Sequence, residues 1–357
     1  MSFVLAVELD GDGAHPSAWR HSRRSPGAVL GGAALRTSVH DAERAGFDLA
    51  TFADTPVPPA GGPDAAGRIE AGTRAAFVAT STSRIGLAPT LHVTTTEPFH
   101  LATQLASLDH ATRGRAGWVL GAANDVASAA TVGGVPLDPA GLHREITDVL
   151  DTARALWDSW QDDAVIRDVA TGRYLDPDRV HHVDVTAARF TVKGPLITPR
   201  PPQGQLVVLA PEELDVAGRT DVVLVGGADP ADVADRAERA RGAGAARVLA
   251  EVQVVLDTDR SGAERLAELD DHTPWPDDGR LRHVGPAAGL VALLRRLAPL
   301  VDGVRLHPAV LADDLPVLAG RVLPELADLR AATGDTLRGT FGLTRPENRF
   351  AVRGGQS

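Results

Sequence analysis

The 357-residue chain contains no cysteine. That absence excludes disulfide frameworks, thiolate nucleophiles and cysteine-ligated zinc or iron–sulfur centres. Aromatic residues make up only 4% of it, so the core must be built mainly from Leu, Val and Ala, whose small side chains suit tight packing of helices on a sheet. No apolar run approaches the roughly 18 consecutive residues of a membrane helix. The N-terminal run Phe3-Val4-Leu5-Ala6-Val7 stops at Glu8 with no basic residue ahead of it, so it does not read as a secretory leader, and a cytoplasmic protein is expected. Basic excess is also missing. With 36 Lys and Arg against 47 acids the net charge is −11, which leaves no domain-sized surface for nucleic acid. No Walker loop and no GxSxG elbow occur. Gly242-Ala243-Gly244 follows a helical pattern and precedes a strand pattern, the reverse of a dinucleotide fingerprint, and reads as a helix stop.

What is present is an alternation. Apolar residues form 43% of the chain and charged ones 23%, the balance of a globular enzyme-sized protein. Short aliphatic runs at 3–9, 49–53, 85–93, 116–122, 206–210, 221–225, 247–256 and 301–306 alternate with segments of helical period. Eight such units are the number that closes a (β/α)8 barrel. Among the helices, Leu311, Leu315, Leu318, Val322, Leu326 and Leu329 form one stripe at period 3.6 and predict a long helix. Pro98 opens another, carrying Leu101, Leu105 and Leu108, and Val149, Ala153, Leu156, Trp157 and Trp160 mark a third. Two stretches break the pattern. Residues 55–70, rich in Pro, Gly and Ala, predict a rim loop or lid, and residues 161–205 predict an inserted hairpin with arms at 180–185 and 189–193. The expected organisation is a single barrel over residues 1–332 with a C-terminal tail at 333–357.

In a βα barrel, active sites are assembled at the carboxyl ends of the strands. His92 falls near the end of the third strand, in Thr90-Leu91-His92-Val93-Thr94-Thr95-Thr96, where it and the threonines would offer donors and a titratable group to a ligand. Asp54 ends the second strand, a position where a carboxylate needs pairing or solvent. A lone strand histidine is as readily a satisfied structural residue. The pair His181-His182 with Asp184 splits across two faces of a strand and reads as surface hairpin rather than a metal site.

One long region carries a resemblance. Thr94-Thr95-Thr96-Glu97-Pro98-Phe99-His100-Leu101-Ala102, Leu105-Ala106-Ser107-Leu108-Asp109-His110 and Gly114-Arg115-Ala116-Gly117-Trp118 resemble the bacterial luciferase-like flavin-dependent monooxygenases, in the branch of nitrilotriacetate and dibenzothiophene-sulfone monooxygenases. Leu156-Trp157-Asp158-Ser159-Trp160, Phe190-Thr191-Val192-Lys193-Gly194-Pro195-Leu196 and Gly342-Leu343-Thr344-Arg345-Pro346 extend it over most of the chain. The resemblance implies a barrel that takes reduced FMN from a separate flavin reductase and uses oxygen to oxygenate a small organic substrate. A related deazaflavin is the alternative cofactor, and a homodimer is the assembly the family suggests. It further implies that Asp54, His92, Thr94, Asn124 and His143 surround the cofactor, His92 being the catalytic candidate and His143 standing where relatives carry a tyrosine near the flavin phosphate.

The departures are equally specific. Relatives have Asn after the tryptophan of strand four, where this chain has Val119. Relatives also follow strand five with a glycine- and serine-containing turn into a phosphate-binding helix, a ready anion site. This chain has Pro211-Glu212-Glu213-Leu214-Asp215, which predicts two carboxylates on the first turn of that helix. At 4–6 Å and an effective dielectric of about 20, each would repel a phosphate charge by roughly 3–4 kcal/mol before screening. The span from Pro211 to Asp221 is also short for a full crossover. A second reading therefore stands beside the first: a non-catalytic barrel of this type that has lost flavin and acts as a partner subunit or binding module.

Overall fold

The apolar runs pair in parallel, and the ring they form is closed. The computed structural model describes residues 3–22, 25–57, 67–330 and 334–351. Strands β1 (Val4–Glu8), β2 (Leu49–Phe52), β3 (Gly86–His92) and β4 (Gly117–Gly121) come first, before an excursion of the chain. That excursion holds two small antiparallel ribbons, β5 (Val165–Asp168) with β6 (Arg173–Leu175) and β7 (Asp184–Thr186) with β8 (Thr191–Lys193). The barrel resumes with β9 (Val207–Pro211), β10 (Val222–Val225) and β11 (Arg247–Leu256). Strand β12 (Leu281–Gly285) lies outside the ring, and β13 (Gly303–Pro308) completes it. Closure comes from β13 pairing with β1, Val4 opposite Gly303, and from β10 pairing with β11, Val222 opposite Arg247.

The period of two along each strand sorts side chains between two cores. Val4, Ala6, Leu49, Ala88, Val119, Val207, Leu209, Val222, Leu224 and Leu249 point inward and fill the lumen. Their alternates, among them Leu5, Val7, Ala50, Leu87, Trp118, Val208 and Val223, face the helix shell. That shell consists of α1 (Gly32–Ala45), α2 (Ala71–Ala79), α3 (Pro98–Thr112), the short α4 (Val126–Ala130), α5 (Pro139–Trp157), α6 (Pro230–Gly242), α7 (Gly262–His272) and α8 (Ala287–Leu297). Among the described residues no helix is long and apolar enough to cross a membrane.

All eight expected ring strands are present, and four local expectations change. The long helix drawn through 311–329 is instead α9 (Leu311–Val317), then a widened turn at Leu318–Val322 and a tight one at Leu323–Leu329. Pro316 and Pro324 are the reason: neither has an N–H to give to the preceding turn. The apolar stripe survives, since Leu315, Leu318, Val322 and Leu326 are all buried. Trp160 lies beyond the end of α5, with its indole N–H donating to the Leu196 carbonyl at 2.8 Å. The inserted hairpin is two ribbons, and of the arm expected at 180–185 only the last residues pair as a strand. Strand β12 has no counterpart among the expected strands, because its Leu-Arg-His-Val-Gly sequence lacks an apolar run. It exists because β11 is ten residues long, so that its first half pairs with β10 and its second half, from Val252, with β12.

The segment after 333, read as a tail, reaches the floor of the barrel. Helix α10 (Leu337–Thr340) starts on the Thr336 cap, and Leu337 and Phe341 join the lumen cluster from below. Leu337 N–H donates to the Gly114 carbonyl at 2.9 Å, and Arg338 pairs with Asp221 at 3.0 Å. Further on, Arg345 pairs with Asp162, and Asn348 donates to the carbonyls of Asp158 and Trp160, tying this segment to the excursion.

Leu337→Ala should therefore behave as a core truncation and lower unfolding free energy by about 2–5 kcal/mol. Val169→Ala, at a residue 94% exposed on the excursion, should leave the denaturation midpoint unchanged.

Candidate active site

Where the strands end at the carboxyl face, the inward positions stop being apolar. Glu8 shares parity with Ala6, Glu251 with Leu249, and Arg305 and His307 with Gly303. These four side chains form one buried array. His307 lies between two carboxylates, with Nδ1 3.1 Å from Glu8 Oε1 and Nε2 3.0 Å from Glu251 Oε1. Arg305 Nε donates to Glu251 Oε1 at 2.8 Å, and a second nitrogen of the same guanidinium reaches that oxygen as well. Each ring nitrogen of His307 thus faces a carboxylate oxygen at hydrogen-bonding distance.

Burial opposes ionisation of Glu8, but His307, Arg305 and Arg280 outweigh it and lower the carboxyl to about 2. Glu251 is likewise buried, and Arg305, His307 and Arg280 hold it well below the usual carboxylate range. At the next position of the rim burial pushes Asp10 upward, although Arg68 at 3.1 Å and Arg74 at 2.8 Å oppose it. None of these residues stands out in the sequence by motif. A usable signal is there nonetheless: an ionisable residue at the inward parity of an apolar strand, two positions past a lumen side chain.

The residues expected to surround the cofactor lie on the other side of the mouth. His92 ends β3 with both ring nitrogens engaged by backbone: Nε2 is 3.1 Å from the Asp54 carbonyl, and Nδ1 accepts from Ala123 N–H at 3.1 Å. That arrangement fixes the neutral tautomer with the proton on Nε2. Gly121, opposite it on β4, makes room for the ring, since a Cβ there would come within 2.6 Å of Nδ1. Asp54 accepts from Thr55 N–H at 2.9 Å and from Ala71 N–H, the first residue of α2, at 2.6 Å. Thr94 donates to the Ala123 carbonyl at 2.6 Å. Asn124 clasps Leu137 through both its amide oxygen and nitrogen at 2.8 Å. The structure thus brings Asp54, His92 and Thr94 together with the chain leaving β4, and Asn124 continues that chain. His143 is an exposed residue in the early part of α5.

Two hollows open at this face. The larger, about 750 Å³, is bounded by β1 and the chain after it, the described end of the 55–70 loop, and the β11, β12 and β13 side; Glu8, Asp10, Arg68, Arg280 and His307 line it. Such a volume is in the range of small-molecule sites. The smaller, about 500 Å³, is lined by Asp54, Glu70, Thr90, His92, Thr95 and Thr96. The two share Thr55, Val57, Gly67 and Arg68, so they adjoin. Residues 58–66 of the expected rim loop lie outside the described residues.

A flavin mononucleotide asks for a hollow with polar edges for its ring and for N–H groups or cations at its phosphate. The smaller hollow fits the ring, with its half-buried threonines and a braced histidine. The corner after β9 does not fit the phosphate. Nor is it the helix expected from the sequence: β9 runs into a three-residue turn, Glu212–Leu214, and a second, Ala217–Arg219, before β10. Glu212 is bonded to Arg236 of α6 at 2.7 Å, so part of its charge is neutralised and the repulsion is weaker than two bare carboxylates would give. Between β9 and β10 no α-helix begins that could offer its N–H groups to an anion.

Similarity to known proteins runs through the whole barrel. A family model described as luciferase-like monooxygenase matches residues 15–297. One of the pristinamycin IIA synthase subunits of Streptomyces pristinaespiralis is 34% identical over 330 residues, 92% of this chain and 95% of that protein. An N-acetyl-S-(2-succino)cysteine monooxygenase of Bacillus subtilis is 34% identical over 207 residues, 57% of this chain but only 47% of its own length, so the match spans about half of that relative. Among solved structures, the EDTA monooxygenase of Chelativorans sp. BNC1 superposes with a TM-score of 0.81 at 20% identity, covering 97% of this chain and 99% of that one.

The Glu8 carboxyl, lowered from 4.5 to about 2, stabilises the folded state fully above pH 4.5, and this contribution is lost as pH falls through about 2. Glu8→Gln should flatten that acid limb in chemical denaturation run across pH. It should also lower stability near neutrality, because His307 and Arg305 lose a partner.

Proposed function

This chain belongs to the luciferase-like monooxygenases, and from that membership we propose that it is a flavin-dependent oxidoreductase that oxygenates a small organic molecule with reduced FMN and oxygen. The observation that carries the reading is the pair of adjoining hollows at the carboxyl face, one for a ring and one for a substrate. Reduced flavin, when bound, supplies the electrons that activate oxygen. Everything else falls to the protein. Asp54 and His92 wall the ring hollow. Because both nitrogens of His92 are spent on backbone, its part is to hold the ends of β2, β3 and β4 in register around the ring. Thr94 and Asn124 fix the chain that leaves β4, and exposed His143 is the remaining polar group from the family pattern on that side. The floor of the larger hollow is a closed ionic array, which keeps its geometry without solvent.

A separate flavin reductase is the partner this chemistry calls for, and a homodimer is the assembly we expect. A second reading rests on the acidic turn at Glu212-Glu213: a barrel that serves as the non-flavin subunit of a larger enzyme. A relative matched over 95% of its length bears the name of one subunit of a synthase, the kind of assembly this second reading describes.

Flavin fluorescence quenching decides between them. FMN or its reduced form should bind with a dissociation constant below about 100 μM, roughly −5.5 kcal/mol. Binding by neither, nor by a deazaflavin, leaves only the subunit reading. Glu212→Gln with Glu213→Gln removes two charges and leaves Arg236 paired with Asp232 alone. It should tighten FMN several-fold and leave riboflavin, which lacks the phosphate, unchanged. Equal effects on both would show that the phosphate does not approach this turn.

A further inference from the structure

We propose that the larger cavity takes a small molecule bearing at least one carboxylate, held by the guanidinium groups of Arg68 and Arg280. Only the word substrate for that molecule rests on the proposed function; its binding does not.

Donors and acceptors on the cavity wall do not balance. The acids there are largely occupied. Asp10 accepts from Arg74 on Oδ1 and lies 3.1 Å from Arg68 on Oδ2. Glu8 accepts from His307 on Oε1, and its other oxygen is 3.8 Å from Arg305. Asp278 accepts from Gln253 Nε2 on both oxygens, at 3.1 and 3.0 Å, and also from the Arg280 backbone and side chain. Asp12 faces the cavity as well and has a partner of its own. Two of the neutral groups are spent as well: Gln253 gives its oxygen to Arg282, and both nitrogens of His15 are bonded, to Asp270 and to Ser17 N–H.

The two guanidinium groups are in a different position. Each has five N–H donors. Arg68, its side chain 27% exposed, meets Asp10 through a single nitrogen. Arg280, 31% exposed, has a buried Nε that lies 3.4 Å from Glu251 Oε2 but makes no hydrogen bond. The carboxylates beside these two groups are already engaged, and the spare donors carry positive charge. An apolar occupant would strip water from them and give nothing back. A cationic occupant would compete for carboxylates already paired. A carboxylate supplies the charged acceptor that the spare donors of either guanidinium group call for, and the apolar faces of Trp19, Val29, Leu35 and Trp275 on the same cavity suit a short carbon skeleton.

The test uses the full chain without flavin and succinate as the probe, followed by calorimetry and thermal melting. Succinate should bind saturably, with a dissociation constant on the order of 1 mM or lower, and raise the melting temperature, whereas the neutral isostere succinamide should do neither. Arg68→Gln and Arg280→Gln should each weaken succinate about tenfold or more. Arg68, part-exposed and away from the buried array, keeps the experiment decisive if Arg280→Gln unfolds. Equal binding of succinamide, unchanged succinate affinity in a folded Arg68→Gln, or no saturable binding of either succinate or tricarballylate overturns the proposal. Displacement of succinate by FMN but not by riboflavin would mean that the anion is the flavin phosphate, and it overturns the assignment too. Failure of the flavin reading shows separately, as absent flavin quenching with succinate binding intact.

Discussion

The mouth of the barrel depends on one constraint: charges placed inside a closed sheet must satisfy one another. Glu8, Glu251, Arg305 and His307 come from three strands, and the two carboxylates are kept ionised by the basic groups around them. Removing one partner from such a buried set costs about 3–5 kcal/mol, because it strands a charge away from water. The array therefore acts as a rigid floor. It sets the spacing of β1, β11 and β13 at their ends and leaves Arg68 and Arg280 with donors to spare at the cavity wall.

Opposite that floor, the wall made by the ends of β2, β3 and β4 is held by hydrogen bonds to backbone. His92 spans three strand ends through two hydrogen bonds, and the imidazole occupies the space that a side chain at Gly121 would need. The two halves of the mouth thus differ in kind, one ionic and one hydrogen-bonded. An oxygen-activating cofactor and a polar substrate would make different demands, and two adjoining hollows of unlike chemistry meet them.

The ring strands were legible because each is a short apolar run bounded by polar residues, and a lumen and a helix shell bury both faces. The Pro98 and Leu311 helix starts were legible for the same reason of period. What escaped was set by tertiary contact. Strand β12 forms only because β11 outruns β10. The stripe through 311–329 stays buried while Pro316 and Pro324 change its backbone, so period alone could not reveal the break. Asp54 and His92 could be named as candidates from their place at strand ends, and both line the smaller hollow. Glu251 and Arg305 were passed over because they sit inside runs that read as plain strand, and only parity distinguishes them from their neighbours. Pairing partners such as Arg236 for Glu212, from the next helix, carry no sequence signature at all.

The floor of the barrel bears on how the chain is made. The lumen is sealed below by Leu337 and Phe341, and the ring is closed by β13 meeting β1. During vectorial synthesis, at about 5–20 residues per second, the first strand pairs early with β2 but must wait some 300 residues for its second neighbour, β13, and the lumen stays open at its base until α10 emerges. For tens of seconds the inward faces of seven strands have no complete core. The nascent barrel is thus an interval of exposed aliphatic surface, and α10 is what ends it.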